Sequence, residues 1–551
     1  MGDTSNVVVL GLLTLVFGLY VASGRRSTGK KTLLKLPIIG DLYRSPIEKP
    51  LLRWDAWSKE KGAIATPKLF GIVPLVVINT AEAATELLSQ CSAWYSNRPG
   101  SVSIEMITGA ARGQSKFTRH DARHRRAKHL KLHHRILSPS LGAVAAPRYQ
   151  PIMELECKQL VKELLELARD SSGRVVASTD IYTLLERTQA SIILTLHYGI
   201  RVATSDDPLF HEIVHVQERV THTAANPGLP DFIPALRYLP AALSPWRHAA
   251  DRFYAEQTRL YMRLLEAGDK APGWNATKQA RNVAAKYAGA DKVPDVDLAF
   301  MLATSIQGGM ETSPRALLWL FVAAITANPG FISRAHSVLD AVVGRERMPT
   351  FADRAAMPYI DGIVSELMRW RPISPGSIPR RADKADDYKG TRIAKGATVF
   401  ANAWFIGRDA AVFDPALASL DAFAPERWLD GCDMQGPEDP AAAARQGELR
   451  TSLPLPVFGQ GRRSCMGRRV ALDSSFMQVA SMLWAFDFER VHDVDPMDMV
   501  VTGFMTEPAP CQVMLKPRGT WVTDVVRGEY RSAVNSSGNI MGGAADAVGE
   551  V

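Results

Sequence analysis

Along the chain, apolar residues recur at helical spacing over two long reaches, residues 153–198 and 295–327, and again over residues 470–486 (VALDSSFMQVASMLWAF). Helix therefore dominates the predicted structure. Strand-like pieces are short and scattered: LVVI at 75–78, TRIAKGATVFAN at 391–402 and CQVMLKP at 511–517. They are too few to alternate with the helices, so they predict a small sheet beside a helical body rather than a parallel α/β fold. The N-terminus differs in kind, with an uncharged apolar run, VVVLGLLTLVFGLYVA at 7–22, followed by Arg25, Arg26, Lys30 and Lys31. At ~1.5 Å per residue the run is about 24 Å long, close to the ~27 Å core of the thin endoplasmic reticulum bilayer. Its positive charge follows the apolar segment, so a retained signal anchor with a cytosolic body is expected. The predicted organisation is an anchor over 1–24, a basic, proline-containing hinge over 25–45, a folded domain over 46–519, and a small, polar, flexible tail over 520–551.

Composition narrows the class. With 551 residues, 46% hydrophobic and 22% charged, the chain is globular and exceeds the length at which one core usually stops growing. Two lobes or one large domain are expected. The five cysteines, Cys91, Cys157, Cys432, Cys465 and Cys511, are odd in number and contain no CxxC pair. That excludes a disulfide framework and a thiolate zinc site, and fits a reducing compartment.

One cysteine stands apart. Residues 458–467 read FGQGRRSCMG, in which Gly459, Gly461 and Gly467 permit tight turns and close approach of backbone to a flat ligand. Cys465 precedes the helical run and lies among Arg462, Arg463, Arg468 and Arg469, a setting expected to favour thiolate. A lone cysteine is more often an inert packing residue. Ionised, it is a nucleophile or a ligand for a soft or borderline metal such as heme iron.

The decapeptide resembles the FxxGxRxCxG heme-binding signature of the cytochrome P-450 superfamily of heme-thiolate monooxygenases, with Phe458, Gly461, Arg463, Cys465 and Gly467 at every fixed position. Further stretches carry the resemblance in the same order as in the family. ELMR (Glu366 to Arg369) is similar to the ExxR motif and PERW (Pro425 to Trp428) to its partner, which implies that Glu366, Arg369 and Arg427 form a buried brace on the heme side. GGMETS (Gly308 to Ser313) resembles the oxygen-activation motif. Two glycines and Pro314 within a helix are costly, at ~1 and ~3 kcal/mol against Ala, so a distorted turn is expected there.

The stretch from Arg112 to Arg135 holds nine Lys or Arg against one acid. Nucleic-acid binding, metal binding by its histidines and a solvated basic helix are its readings from composition alone. The resemblance implies instead the helix whose WxxxR pair faces a heme propionate and whose outer face docks a flavoprotein. The matching positions are taken as His124 and Lys128, poorer anchors than a guanidinium fork. In SIPRRADKADDYKG the resemblance points to Arg380 as a further propionate partner.

What the resemblance implies is a mainly α fold with a small β-rich lobe. Cys465 would ligate the iron of heme b. Phe458, Gly459, Arg463, Arg380, Lys128 and His124 would bind the cofactor, and Thr312 with Glu311 would deliver protons. Electrons would come from NADPH through a separate flavoprotein reductase, and one atom of O2 would enter a lipophilic substrate by hydroxylation or epoxidation. The expected pocket draws on the loop 101–106, Phe300, Thr304, residues 373–378, Phe504 and Met505. PGLPDFIPALRYLP is similar to fungal microsomal members that tailor secondary metabolites. A reductase-independent peroxygenase or isomerase, and a non-catalytic heme-binding protein, are the rival readings; the Glu311 and Thr312 pair argues against both.

Overall fold

A computed structural model describes residues 62–69, 73–108, 123–226, 228–287, 293–327, 330–432, 447–502 and 504–536. The predicted anchor and hinge lie outside the described residues, as do residues 109–122 of the basic stretch. Contacts divide the chain into two units, residues 1–44 with 68–73, and residues 45–67 with 74–551. Of the first, only residues 68, 69 and 73 are described, as short extended pieces. Apart from Val73, the second holds everything that follows.

Its principal helices are α1 (Val102–Ile107), α2 (Arg123–Leu141), α3 (Ala146–Asp170), α4 (Ser178–Tyr198), α5 (Pro208–Ala225), α6 (Pro245–Lys270), α7 (Ala276–Tyr287), α8 (Asp295–Gly309), α9 (Thr312–Thr326), α10 (Gly330–Val342), α11 (Pro358–Trp370), α12 (Arg468–Ala485) and α13 (Trp521–Asn535). Their ends follow from local chemistry. α4 stops at Gly199, which takes φ 69° without a Cβ penalty. The Asp207 carboxylate accepts from the Leu209 N–H to start α5, with Pro208 in the first turn. α11 likewise starts at Pro358 and ends just before Pro372.

The strands are short. β1 (Ile64–Ala65), β2 (Val73–Ile78), β4 (Arg380–Arg381) and β5 (Thr398–Ala401) share one sheet in the order β1-β2-β5-β4, with Leu75 opposite Thr398 in the parallel β2–β5 pair. β3 (Val175–Ala177), β6 (Phe486–Arg490) and β9 (Gln512–Pro517) form a second sheet, while β7 (Met499–Thr502) and β8 (Met505–Pro508) make a hairpin.

Among the described residues three large apolar clusters correspond to this division. Leu317, Trp319, Phe321, Phe476 and Trp484 belong to the first, in which α9 is apolar almost all round and accordingly buried. Ile193, Leu260, Leu302 and Ile306 belong to the second, around α4, α6 and α8. Ile78, Leu87, Ile393 and Val399 hold the β-rich lobe together. The mainly α fold with a small β-rich lobe is thus observed.

The expected flexible tail over 520–551 is corrected. Residues 521–535 form α13, which buries Val522 and Val526, stacks Trp521 edge-on against Trp484 at 4.8 Å and pairs Glu529 with Lys158 at 2.6 Å. Val522 and Val526 are four apart and share a face, a short pattern outweighed in the sequence by the polar residues after it. Residues 537–551 lie outside the described residues.

Candidate active site

The cysteine loop is built by its glycines. A 3-10 turn over Pro456–Phe458 leads into Gly459 at φ 65° and Gly461 at φ 61°, and a second turn, Gly461–Arg463, delivers Cys465. The Cys465 N–H donates to the Phe458 carbonyl at 2.8 Å, closing the loop, and α12 starts three residues later. A Cβ on Gly461 would lie 2.0 Å from the Leu88 carbonyl oxygen, so the loop rests directly on the π-helical turn Thr85–Gln90. Arg380 fixes it from the other side, donating from Nη2 to the Gln460 carbonyl at 2.6 Å.

Cys465 is exposed although Phe458 and Val470 around it are buried. Burial nevertheless pushes its thiol up, and the Gly467 and Arg468 N–H groups and the Arg468 guanidinium offset this only in part. A side chain deep in the protein with accessible surface faces a recess. The expectation that the helix N-terminus and the surrounding arginines together favour thiolate meets a stronger opposing burial: Arg463 donates to the Ser96 carbonyl at 2.7 Å, and Arg468 with the Gly467 and Arg468 amides lowers the thiol only part of the way. A cationic metal at the sulfur would supply the missing charge, since coordination deprotonates a thiol outright.

α8 and α9 are two helices where the sequence reads as one. The break falls at Met310 and Glu311, within the predicted distorted turn. Seven of the fifteen residues of α8 are buried, whereas Thr304 and Gly308 are exposed, and Thr312, partly exposed, continues the same stripe at intervals of four. A Cβ added at Gly308 would meet nothing within 4 Å, whereas one on Gly309 would lie 2.8 Å from Ile193 Cδ1. One glycine lets α8 pack on α4, and the other opens its free face. Met466 packs against the cluster that holds Ile306 and Met310, so the cysteine loop and the α8–α9 break border the same core.

The Thr312 hydroxyl donates to the Gly308 carbonyl at 2.7 Å. Glu311 is buried; its Oε2 accepts from Arg315 Nη1 at 2.9 Å and its Oε1 from the Thr221 hydroxyl at 3.2 Å.

Beside the loop, arginines gather. Arg98 donates to the Ile378 and Pro379 carbonyls at 2.6 and 2.8 Å. Burial, then repulsion from Arg463 and Arg380, pulls its guanidinium down to about 9. Arg380 is pulled down to about 10 by burial and by Arg463. Cations that depress one another's ionisation form an anion site. Arg98, which no motif marks, joins this cluster from the irregular segment just before α1.

His134 joins it too. Burial and the nearby Arg463 charge pull its imidazole down. His124 and Lys128 are in the first two turns of α2, and their side chains lie outside the described residues. At ~1.5 Å per residue His134 is about 15 Å further along α2 than His124. Among the described side chains of α2, His134 lies close enough to Arg463 to feel its charge; in the sequence it stood only among the histidines of the basic stretch.

The brace forms as expected. Arg369 makes a bidentate pair with Glu366, both bonds 2.7 Å, and Arg427 Nε reaches Glu366 Oε1 at 3.3 Å. The Trp428 indole and the Ala424 N–H complete the carboxylate, each at 2.9 Å. Burial alone would raise Glu366, but Arg369, Arg427 and the Ala424 amide hold it below the ordinary range.

Of the expected pocket residues, Thr304, Ile378 and Phe504 are exposed, while Met505 is buried. Phe300 is partly buried, stacked on Tyr254 at 5.6 Å and edge-on to Tyr261 at 5.0 Å. The expected loop 101–106 is largely helix α1, capped by the Ser101 hydroxyl. Two surface clefts of about 640 and 530 Å³ are lined by other residues, Glu212, Arg263 and Asp269 in one and Gln150, Phe351 and Arg354 in the other. Among the described residues no group of His, Cys, Asp and Glu is arranged to hold a metal ion. These features fit heme: a lone sulfur donor on a recess, a glycine-built loop beneath it, and a cationic cluster suited to carboxylates.

The comparisons with known proteins agree. The cytochrome P450 family model matches residues 32–515. The chain is 31% identical over 517 residues to the cytochrome P450 monooxygenase aneD of Aspergillus aculeatus, covering 92% of this chain and 91% of that protein. It is 31% identical to cytochrome P450 monooxygenase 58 of Postia placenta, with 92% and 93% covered, and 30% identical to the echilunin cytochrome P450 monooxygenase of Aspergillus ruber, with 86% and 81% covered. A match over most of both chains, on top of a glycine-built cysteine loop, a brace and an opened helix, leaves one conclusion: the chain belongs to the cytochrome P450 family.

Proposed function

We propose that the protein is a monooxygenase of lipophilic small molecules, with heme b held by Cys465 and by the cationic cluster of Arg380, Arg463, Arg98 and His134. The observation that carries this reading is the Cys465 thiol, set before α12 and open to a recess, with that cluster beside it. When bound, heme supplies the activation of dioxygen and the insertion of one oxygen atom into a C–H or C=C bond.

The chain's own residues do the rest. Phe458 and Gly459 hold the loop beneath the cofactor, and the guanidinium groups hold its propionates. Thr312 orders a proton donor at the opened face of α8. Glu311 carries protons to it, once its carboxylate exchanges the Arg315 bond for the Thr312 side. Ile378 and Phe504, both exposed, would give the substrate side apolar surface beside Thr304, which suits lipophilic substrates. The names of the fungal relatives favour a secondary metabolite as substrate.

Electrons come from NADPH through a separate flavoprotein reductase, for which the basic stretch ending at Arg135 is the docking surface. Residues 7–22 anchor the chain in the endoplasmic reticulum membrane, with the folded domain cytosolic. Among the described residues no single helix is long and apolar enough to cross a membrane. The test is a reduced, carbon monoxide-bound spectrum, followed by oxygen uptake with NADPH and reductase. A thiolate-type Soret band, lost in Cys465→Ala, is expected; its absence in the unaltered protein overturns the assignment. Uptake independent of NADPH and reductase would instead favour a peroxygenase or isomerase.

A further inference from the structure

Behind Glu311 lies a cluster that the active site leaves unexplained. α9 contributes Arg315, which donates from Nη1 to Glu311 at 2.9 Å and lies 2.9 Å, through Nε, from Glu507 of β8. α4 contributes Tyr182 and Glu186. The Tyr182 ring lies 5.2 Å from the Arg315 guanidinium, and its hydroxyl donates to Glu186 Oε1 at 3.0 Å. α5 contributes Thr221, bonded to Glu311, and Glu218, which is exposed. The Arg315 guanidinium thus pairs with Glu311 and Glu507, and its charge also reaches Glu186.

We propose that Glu186 is the proton store of this enzyme, holding the proton that recharges Glu311 between turnovers. The proposal rests on the reading that Glu311 and Thr312 deliver protons.

The Glu186 carboxylate is held by the Tyr182 hydroxyl, beside the Arg315 guanidinium that Tyr182 faces. Burial pushes its carboxyl up to about 7; the Tyr182 hydroxyl and Arg315 offset part of that, and the negative charges of Glu311 and Glu218 add to it. A donor serves best when its pKa lies near the working pH. In each cycle Glu311 gives a proton, by way of Thr312, to the oxygen being reduced. Glu186 then gives its proton to the Glu311 carboxylate, and as an anion it draws Arg315 toward α4, loosening Glu311 for its next movement. Solvent on the Glu218 side returns a proton to Glu186. No electrons move within the cluster. Glu186 acts through Glu311 and touches no reacting atom.

The experiment uses the full chain with heme, NADPH, a flavoprotein reductase and dioxygen, without added substrate. Oxygen then leaves as peroxide, needing two electrons, or as water, needing four electrons and further delivered protons. Oxygen uptake against NADPH consumption gives the split. In the unaltered enzyme the peroxide share is expected to rise as pH rises through about 7. Glu186→Gln, which keeps shape and neutrality but stores no proton, should raise that share severalfold and flatten its pH dependence, with the carbon monoxide spectrum intact. Glu186→Asp should restore part of the pH dependence. Independently of turnover, infrared difference spectra of the resting protein should show a protonated-carboxyl band that titrates near neutrality, persists in Glu311→Gln and is lost in Glu186→Gln.

A band unchanged in Glu186→Gln overturns the proposal. So does an unaltered split in Glu186→Gln when Glu311→Gln and Thr312→Ala both shift it. If those two variants also leave the split unaltered, the proton-delivery reading itself falls, and the proposal with it.

Discussion

Gly461 and Glu366 carry their roles without periodicity. At Gly461 both the positive φ and the 2.0 Å approach of a Cβ to the Leu88 carbonyl forbid any other residue. Gly461→Ala is expected to cost about 3 kcal/mol or more and to lower heme content, measured by urea unfolding and by the heme-to-protein ratio. Gly308→Ala, facing open space, should leave stability nearly unchanged and act only on ligand access. Glu366→Ala should cost about 3–5 kcal/mol, because it strands Arg369 and Arg427 in the interior without their carboxylate. An unfolding midpoint close to that of the unaltered protein would count against the brace. These residues were legible because each motif is local: a cysteine, an ExxR pair or a glycine pair announces itself within ten residues. Arg98, His134 and Glu186 were not, since each matters only through partners that other elements bring to it.

At the scale of elements, the break between α8 and α9 is where sequence and structure agree best. The glycines and Pro314 weaken the helix, and the break then aligns Thr304, Gly308 and Thr312 on one open stripe. Thr312→Ala should leave stability and the carbon monoxide spectrum unchanged while raising peroxide release relative to NADPH consumed; unchanged coupling would argue against proton delivery there. α13 is the opposite case. Its helix became certain only once Val522, Val526 and Trp521 found α3 and Trp484. Val526→Ala should cost about 2 kcal/mol, read from the thermal midpoint, whereas the same change in a frayed tail would have no effect.

Across the molecule, buried titratable groups set the stability profile. His197 is fully buried, and burial pulls its imidazole down to about 4 despite the Ile193 carbonyl bond. The unfolded chain binds a proton there between pH 6.5 and 4 that the folded chain refuses, so stability falls as pH drops through that window. At ~1.4 kcal/mol per pH unit the loss approaches about 3 kcal/mol. Glu186 acts with the opposite sign: its folded pKa of about 7 lies above the ordinary 4.5, so its contribution is present at low pH and lost as pH rises from 4.5 through 7. His197→Asn should flatten the acid limb of a midpoint-against-pH plot, and an unchanged limb would place the titrating group elsewhere. By itself the sequence determined the helical class, the cysteine loop, the brace and the weakened helix, because each is written in neighbouring residues and their periodicity. Only the tertiary structure decided the packed end of the chain, the rise of the Cys465 thiol, the membership of the cationic cluster and the acidic cluster behind Glu311. Burial and charge proximity depend on segments far apart in the chain, and no local pattern encodes the distance between them.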